Sequence, residues 1–533
     1  MQTSGTYPDV TPQTRCHALS NPISRPRLSR QNAAAAELRG EKSPLRRAVC
    51  ELRVVSIGML AVAMLLAARP ALAQKEALLV SIDSRADETW QAARQIWEWA
   101  EPGYQEKQSS AVLVEMLRAA EFEIEQGVAE IPTAFTATFG SGTPVVGILG
   151  EFDALPGLSQ KATPQRDPRE PGGYGHACGH HLFGTASASA CIAIAEQIAA
   201  GNIQGTVRFY GCPAEEGGAA KAFMIRAGLF DDCDAVLHWH PSSQNAAGDR
   251  TCLARMAAKF RFYGTSAHAA GAPEQGRSAL DAVELTNYAA QLLREHTPDF
   301  TRIHHVITAG GGAPNVVPDF AEVYYYIRHP EADVLSTLYP RLVKCAEAGA
   351  LATETQLEVS YLGGTQPLLP NNTLAQVVLA NLRKLNDLSY DDQQKAFALR
   401  IQETLAEPEP LEEIEEVTDR SGDLGKGSTD VGDVSWVVPT TGFSTACWVP
   451  GTPGHSWQAV AAGGMSIGRQ GMVLAAKVMG ASAWDLYQHS ELIAGAKYEH
   501  SRRRAGRGYE SLLEDEQAPP LDYRSAPVGV LAE

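Results

Sequence analysis

Four short stretches of this 533-residue chain gather side chains that could hold a cation or move a proton. His176-Ala177-Cys178-Gly179-His180-His181 packs a thiol and three imidazoles into six residues, where a Gly-rich loop runs into a helix pattern. Thiolate and imidazole together suit a borderline divalent cation such as zinc. Cys212-Pro213-Ala214-Glu215-Glu216-Gly217-Gly218 sets adjacent carboxylates after an apolar strand pattern, before two glycines that let the chain turn. Neighbouring side chains on extended backbone point opposite ways, so one carboxylate can bind a cation while the other faces a substrate as general base. His238-Trp239-His240-Pro241 ends a further strand pattern, and Pro453-Gly454-His455-Ser456 forms the fourth stretch. Taken singly, each has an ordinary reading: His455 as a surface histidine, the Glu pair facing solvent, Cys212 as a small core residue. Together they offer Cys, His, Glu and His donors at the ends of successive elements, which is the pattern of a metal site.

The elements that must position these residues alternate between helical and strand periodicity. Trp90 to Ala100 and Ala111 to Ala120 carry apolar residues at helical spacing, and Val145 to Leu149 is a short apolar run. The pattern then predicts a helix over His181 to Ala200, a strand over Thr206 to Tyr210, a helix over Gly218 to Gly228 and a strand over Ala235 to Trp239. This is α/β order, which implies a largely parallel sheet covered on both faces. The character changes near Cys252. Strand Ala257 to Tyr263, helix Arg277 to Glu295, strands Ile303 to Thr308 and Ala321 to Ile327, helix Val334 to Leu351 and strand Leu357 to Leu362 make a complete βαββαβ unit. The acidic, Pro-broken segment Glu403 to Asp423 reads as a solvated loop, followed by strand Gly442 to Trp448 and one long helix Val460 to Met479. The expected organisation is a leader at residues 1–73, a first catalytic part at 74–251, an inserted unit at 252–363 and a second catalytic part at 364–533.

Charge separates the leader from the rest. The chain holds 45 Lys and Arg against 62 Asp and Glu, a net charge of -17, which argues against nucleic acid as a partner. The leader alone is basic: Arg46, Arg47 and Arg53 precede an apolar run from Val54 to Ala68, and Ala71-Leu72-Ala73 gives a small-x-small cleavage pattern. The expected product is an exported chain, periplasmic or extracellular, cleaved after Ala73; an uncleaved anchor and a cytoplasmic protein are the alternatives. No later stretch is expected to reach the roughly 20 apolar residues of a membrane span. Cys16 and Cys50 fall in the leader, and the seven remaining cysteines lack the dense spacing of a disulfide framework.

GEFDALPG at Gly150 to Gly157, HACGHH, PAEEGG, DAVLHWHP at Asp234 to Pro241, and the SAH, NVVPD and GTPGHSW stretches together resemble the aminoacylase and carboxypeptidase family of dinuclear metallopeptidases. The likeness is greatest to its amidohydrolase branch, which includes hippurate hydrolase and indole-acetyl-amino-acid hydrolases. The resemblance spans residues 80 to 525 and implies a zinc-exopeptidase-like α/β catalytic domain, a mixed sheet flanked by helices, with the βαββαβ unit as a ferredoxin-like dimerisation or lid domain. It implies that Cys178 bridges two divalent metal ions, manganese or zinc, with His180, Glu216, His240 and His455 as the other ligands. Glu215 becomes the general base, and His268 the histidine that stabilises the oxyanion in a partner subunit's site. Asn315 and Arg328 become substrate contacts, and Asp153 an orienting partner of a ligand. The family ligand lies six positions after the strand's Asp, which selects His240 and leaves His238 as a lining residue. His181 stands where many relatives have Asp, so it could compete as a ligand. The implied protein is a homodimeric amidohydrolase acting on a small N-acyl or N-aroyl amino acid, with aminobenzoyl-glutamate the first candidate. A dipeptidase or aminoacylase of other acyl preference, and a metal-bound binding protein without turnover, are the alternatives.

Overall fold

Val145–Glu151 is apolar or glycine at every position but the last, as a strand covered on both faces requires. In the computed structural model, which describes residues 73–525, all seven of its residues are buried. The leader expected at residues 1–73 therefore lies outside the described residues, apart from Ala73. Eight strands form one sheet: β1 (Glu123–Gln126), β2 (Phe135–Ser141), β3 (Val145–Glu151), β4 (Gly205–Cys212), β5 (Ala235–Ser242), β6 (Asn245–Ala247), β11 (Val417–Asp419) and β12 (Thr440–Ala446). Their order is β1-β2-β4-β3-β5-β12-β6-β11. The central β4, β3, β5 and β12 run parallel, while β1, β2 and β6 each pair antiparallel with a neighbour. The sheet is therefore mixed: the parallel centre is the part the apolar runs announce, and the short polar flanks carry no such signal.

Helix His180–Ala199 is built of small residues on every side and is buried almost throughout, packed against β3, β4 and helices Ala86–Trp99 and Ser466–Gln488. Gly184 permits this closeness, since a Cβ there would stand 2.9 Å from the Glu151 carbonyl oxygen. Contrary to the sequence expectation, this helix is long and apolar enough to cross a membrane, but 83% of its apolar window is buried inside the protein. It is a core helix whose apolarity serves packing.

β7 (Ala254–Tyr263), β8 (Arg302–Ala309), β9 (Phe320–His329) and β10 (Gln356–Thr365) form a second, antiparallel sheet in the order β10-β7-β9-β8. Helices Ala279–Leu293 and Ala332–Thr353 pack on it, around a core of Phe260, Phe262, Val323, Tyr325 and Leu342 separate from that of the larger sheet. The strand and helix order is the βαββαβ order read from the sequence.

Three expectations change. The long helix at Val460 to Met479 is two helices, Trp457–Gly463 and Ser466–Gln488, the break falling at Met465, whose backbone is extended (φ -106°, ψ 172°). The loop Glu403 to Asp423 contains the edge strand β11, paired with β6, and a short 3-10 turn that buries Ile414. Helices Asn372–Leu385, Asp392–Gln402 and Ser490–Arg504 add to the expected set, although Asn371 and Asp391 cap the first two, each accepting a backbone N–H three residues on.

Phe260 is fully buried in the second core. Its replacement by Ala is expected to cost about 3–5 kcal/mol, read as an earlier urea transition in a variant that still binds metal.

Candidate metal centre and active site

Four parallel strands deliver the chemistry-bearing residues from their carboxyl ends. β3 ends at Glu151 and leads to Asp153, β4 leads to Glu215 and Glu216, β5 carries His238 and His240, and the chain after β12 returns as the loop holding His455. Cys178 and His180 enter from the start of helix His180–Ala199, behind Gly179 in the left-handed conformation (φ 72°). A Cβ on Gly179 would lie 2.7 Å from the Pro241 ring, so only glycine lets the Cys178 turn pack beside β5. His455 itself has φ 57°, an unfavourable conformation for a non-glycine residue that the Ala177 carbonyl, accepting its N–H at 3.2 Å, helps hold.

The donors converge in two groups that share one sulfur. Cys178, His180 and His240 offer ligand atoms within 4.8 Å of one another, and so do Cys178, Glu216 and His455. A thiolate common to both is placed to bridge two cations, as the resemblance implies. Glu151, His180 and Glu215 make a third such group. There, however, Glu151 is already engaged by the buried Lys221 ammonium at 2.7 Å, which also reaches Asp430 at 2.6 Å.

Whether these residues fit cations is decided by their unsatisfied atoms. His180 Nδ1 sits 2.8 Å from Asp153 Oδ1, while Nε2 is buried without a hydrogen bond, its nearest carboxylate oxygen on Glu151 3.3 Å away. Glu216 Oε1 is likewise buried and unpartnered. Burial opposes charge on His180, yet the hydrogen bond and charge of Asp153, with Glu151 and Glu216, hold its pKa up to about 10. Burial and the Glu216 carboxylate push the Cys178 thiol well above its ordinary range. The pocket therefore calls for positive charge at His180 Nε2 and beside the Cys178 sulfur, which divalent cations supply. His240 is pushed down to about 3, chiefly by burial, so it is a neutral imidazole ready to ligate. The centre offers Cys, His and carboxylate donors in two groups, each suited to a cation.

Asp153 does more than orient His180. Its Oδ2 accepts the Glu216 backbone N–H at 2.9 Å, so one carboxylate positions donors of both groups. Burial raises its pKa and the His180 hydrogen bond and charge lower it, with a net lowering that keeps it ionised. Glu215 is half-buried, and burial with the nearby Glu151 and Glu216 carboxylates raises its pKa well above the usual range, toward that of a working base.

The other expected residues separate. His181 does not compete as a ligand: its Nε2 contacts the Gly463 carbonyl at 3.1 Å, and burial lowers its pKa well below the usual value. His238 is buried and lines the cavity without joining either donor group. Arg328 also lines this cavity, of about 850 Å³. His268 and Asn315 sit exposed on loops beside the second sheet, after β7 and between β8 and β9, away from the cavity wall of their own chain. There they are near each other, the Asn315 carbonyl accepting the Ala269 N–H at 3.0 Å and His268 bridging to Val316. Unforeseen are Lys221, buried under Glu151, and Arg250, Arg255 and Arg524 on the cavity wall. None sits in a motif with diagnostic spacing, and Arg524 joins the site only through the path of the chain after Arg504.

The profile of peptidase family M20/M25/M40 matches residues 147–402. The chain is 40% identical over 438 residues, 77% of its length and 91% of the relative's, to a subunit of the p-aminobenzoyl-glutamate hydrolase of Escherichia coli (strain K12). It is 31% identical over 383 residues, 67% of its length and 76% of the relative's, to the Xaa-Arg dipeptidase of Homo sapiens. The aminobenzoyl-glutamate utilization protein from Klebsiella pneumoniae shares the fold, with a TM-score of 0.54 at 16% identity over 77% of this chain and 100% of that one.

Replacing Glu215 by Gln is expected to lower turnover by roughly 10²–10⁴-fold with metal content unchanged. Asp153→Asn is expected to do the converse, weakening metal binding roughly 10–100-fold in a chelator titration.

Proposed function

The chain belongs to peptidase family M20/M25/M40 and is a metal-dependent amidohydrolase, and we propose that it cleaves an N-aroyl glutamate of the p-aminobenzoyl-glutamate type. One observation carries this choice of substrate. Arg255, Arg328 and Arg524 line the cavity beside the donor groups, and the Nε of each is buried without a hydrogen-bond partner. Among the described residues no carboxylate forms an ion pair with any of them. A substrate ending in arginine would bring like charge to this wall; a dicarboxylic amino acid brings the opposite charge. The two relatives differ in this respect, and the wall supports the glutamate-releasing one.

Cations held by Cys178, His180, Glu216, His240 and His455 would supply electrophilic polarisation of the amide carbonyl and a lowered pKa for the attacking water. Glu215 takes the proton of that water as its oxygen bonds to the carbonyl carbon. The same proton passes to the leaving nitrogen as the C–N bond breaks, releasing an aroyl acid and a free amino acid. Arg328 holds a substrate carboxylate with its planar fork. His268 from a second copy neutralises the developing oxyanion. Exposed Val306 and Ile307 on edge strand β8, with Leu285, Tyr288 and Leu292 on the helix beside it, support such a homodimer. The basic, apolar leader ending at Ala73 supports export to the periplasm or the extracellular space.

Purified residues 74–533, loaded with manganese or zinc, are expected to release glutamate from p-aminobenzoyl-glutamate, to leave Xaa-Arg dipeptides intact and to lose activity to a chelator. Arg328→Met should raise KM roughly 10–100-fold, the scale of a lost charged hydrogen bond. Glutamate release at an unchanged KM would remove Arg328 from the site.

A further inference from the structure

The arginine wall holds more positive charge than one carboxylate needs, and its parts come from different elements. Arg255 on β7 and Arg328 on β9 are directly opposed across the antiparallel pair. Both lie against the Tyr326 ring, with guanidinium carbons 4.8 and 5.6 Å from its centre. Like charges directly opposed on neighbouring strands destabilise a sheet unless an anion lies between them. That pair accounts for one carboxylate.

Arg524 arrives separately. After helix Ser490–Arg504 the chain runs as an irregular strap across both layers of the protein. On the second sheet, Tyr361 Oη donates to the Leu512 carbonyl at 2.6 Å and Lys259 Nζ to the Tyr523 carbonyl at 3.0 Å. On the larger layer, Gln105 donates to the Leu521 carbonyl at 2.9 Å, and Arg226 donates to that of Gln517. Tyr523, 4% exposed, anchors the strap edge-on against Tyr104, ring centres 5.8 Å apart. The next residue is thereby turned into the cavity: Arg524 Nη2 donates to the Glu216 carbonyl at 3.0 Å, while Nε is buried and unpartnered.

Building on the glutamate-releasing reading, we propose that Arg524 is a specificity-determining residue that binds the side-chain carboxylate of the released amino acid, the Arg255 and Arg328 pair binding its α-carboxylate. The strap is the device that brings this third guanidinium to a site whose metal ligands all lie elsewhere in the chain. It makes the enzyme selective for dicarboxylic over neutral amino acids.

The test compares kcat and KM for p-aminobenzoyl-glutamate and p-aminobenzoyl-glutamine in the metal-loaded wild type, Arg524→Met and Arg524→Lys. The wild type is expected to favour the glutamate conjugate at least about 30-fold in kcat/KM, the order of one lost charged hydrogen bond. Arg524→Met should abolish that preference by raising KM for the glutamate conjugate far more than for the glutamine conjugate, and Arg524→Lys should restore part of it. An equal loss on both substrates, or a loss in kcat, would show that Arg524 only props the Glu216 loop, overturning the proposal. A wild type indifferent to the two conjugates overturns it as well. Should the wild type cleave neither, the glutamate-releasing reading itself fails and the assignment of Arg524 with it. Should Arg524→Met be unstable, equilibrium binding of the two conjugates to Glu215→Gln, with and without Arg524→Lys, gives the same comparison: equal affinities in the Arg524-containing protein would again overturn the proposal.

Discussion

The site hangs on the Asp153 carboxylate. One oxygen takes the Nδ1 proton of His180 and the other the backbone N–H of Glu216, at 2.8 and 2.9 Å. The first bond fixes the tautomer, so the His180 Nε2 lone pair faces the cavity; the second fixes the loop on which both Glu216, the proposed ligand, and Glu215, the proposed base, ride. Because Asp153 follows β3 and Glu216 follows β4, this carboxylate also locks together the ends of two neighbouring parallel strands. Its surroundings are dry, and a mispositioned carboxylate there would be a costly buried charge.

Around it lies an arrangement of charges that makes sense only as a whole. Glu151, fully buried at the end of β3, faces His180 on one side and Lys221 on the other, and Lys221 is shared with Asp430. Glu106, also buried, accepts the Ala214 N–H at 2.8 Å, and burial with the neighbouring Asp153 raises its pKa to about 8. Carboxylates thus cluster where cations are to sit, Lys221 already balances the Glu151 and Asp430 pair, and the arginines lie one layer out on the cavity wall. This separation lets cations and the proposed dicarboxylic substrate share one cavity without competing for the same side chains.

Much of this is legible in the sequence because the metal donors are local. A thiol and imidazoles within six residues, adjacent carboxylates after an apolar run, and a histidine pair ending another are patterns that backbone geometry must honour, and the structure brings Cys178, His180, Glu216, His240 and His455 together. His181 is ambiguous by spacing alone, since helix geometry turns consecutive side chains about 100° apart and only the Gly463 carbonyl reveals its purpose. The break after Gly463 is hidden for a related reason: apolar periodicity continues straight through it. Edge strands such as β1 and β11 are short and polar, with no alternation to detect. Of the arginine wall only Arg328 is foreseen, through the family resemblance; Arg255 and Arg524 are the least readable part, because they meet it through the pairing of β7 with β9 and a strap without periodic structure.

That strap has a consequence for how the molecule matures. Arg524 is synthesised after every other side chain that lines the cavity, nearly 350 residues behind Cys178. A nascent chain can assemble its parallel strands and take up metal while this last guanidinium is still unmade. On the proposed assignment, a chain clipped by a protease just before Tyr523 would keep the cluster of candidate donors while losing the guanidinium proposed to tell one leaving group from another.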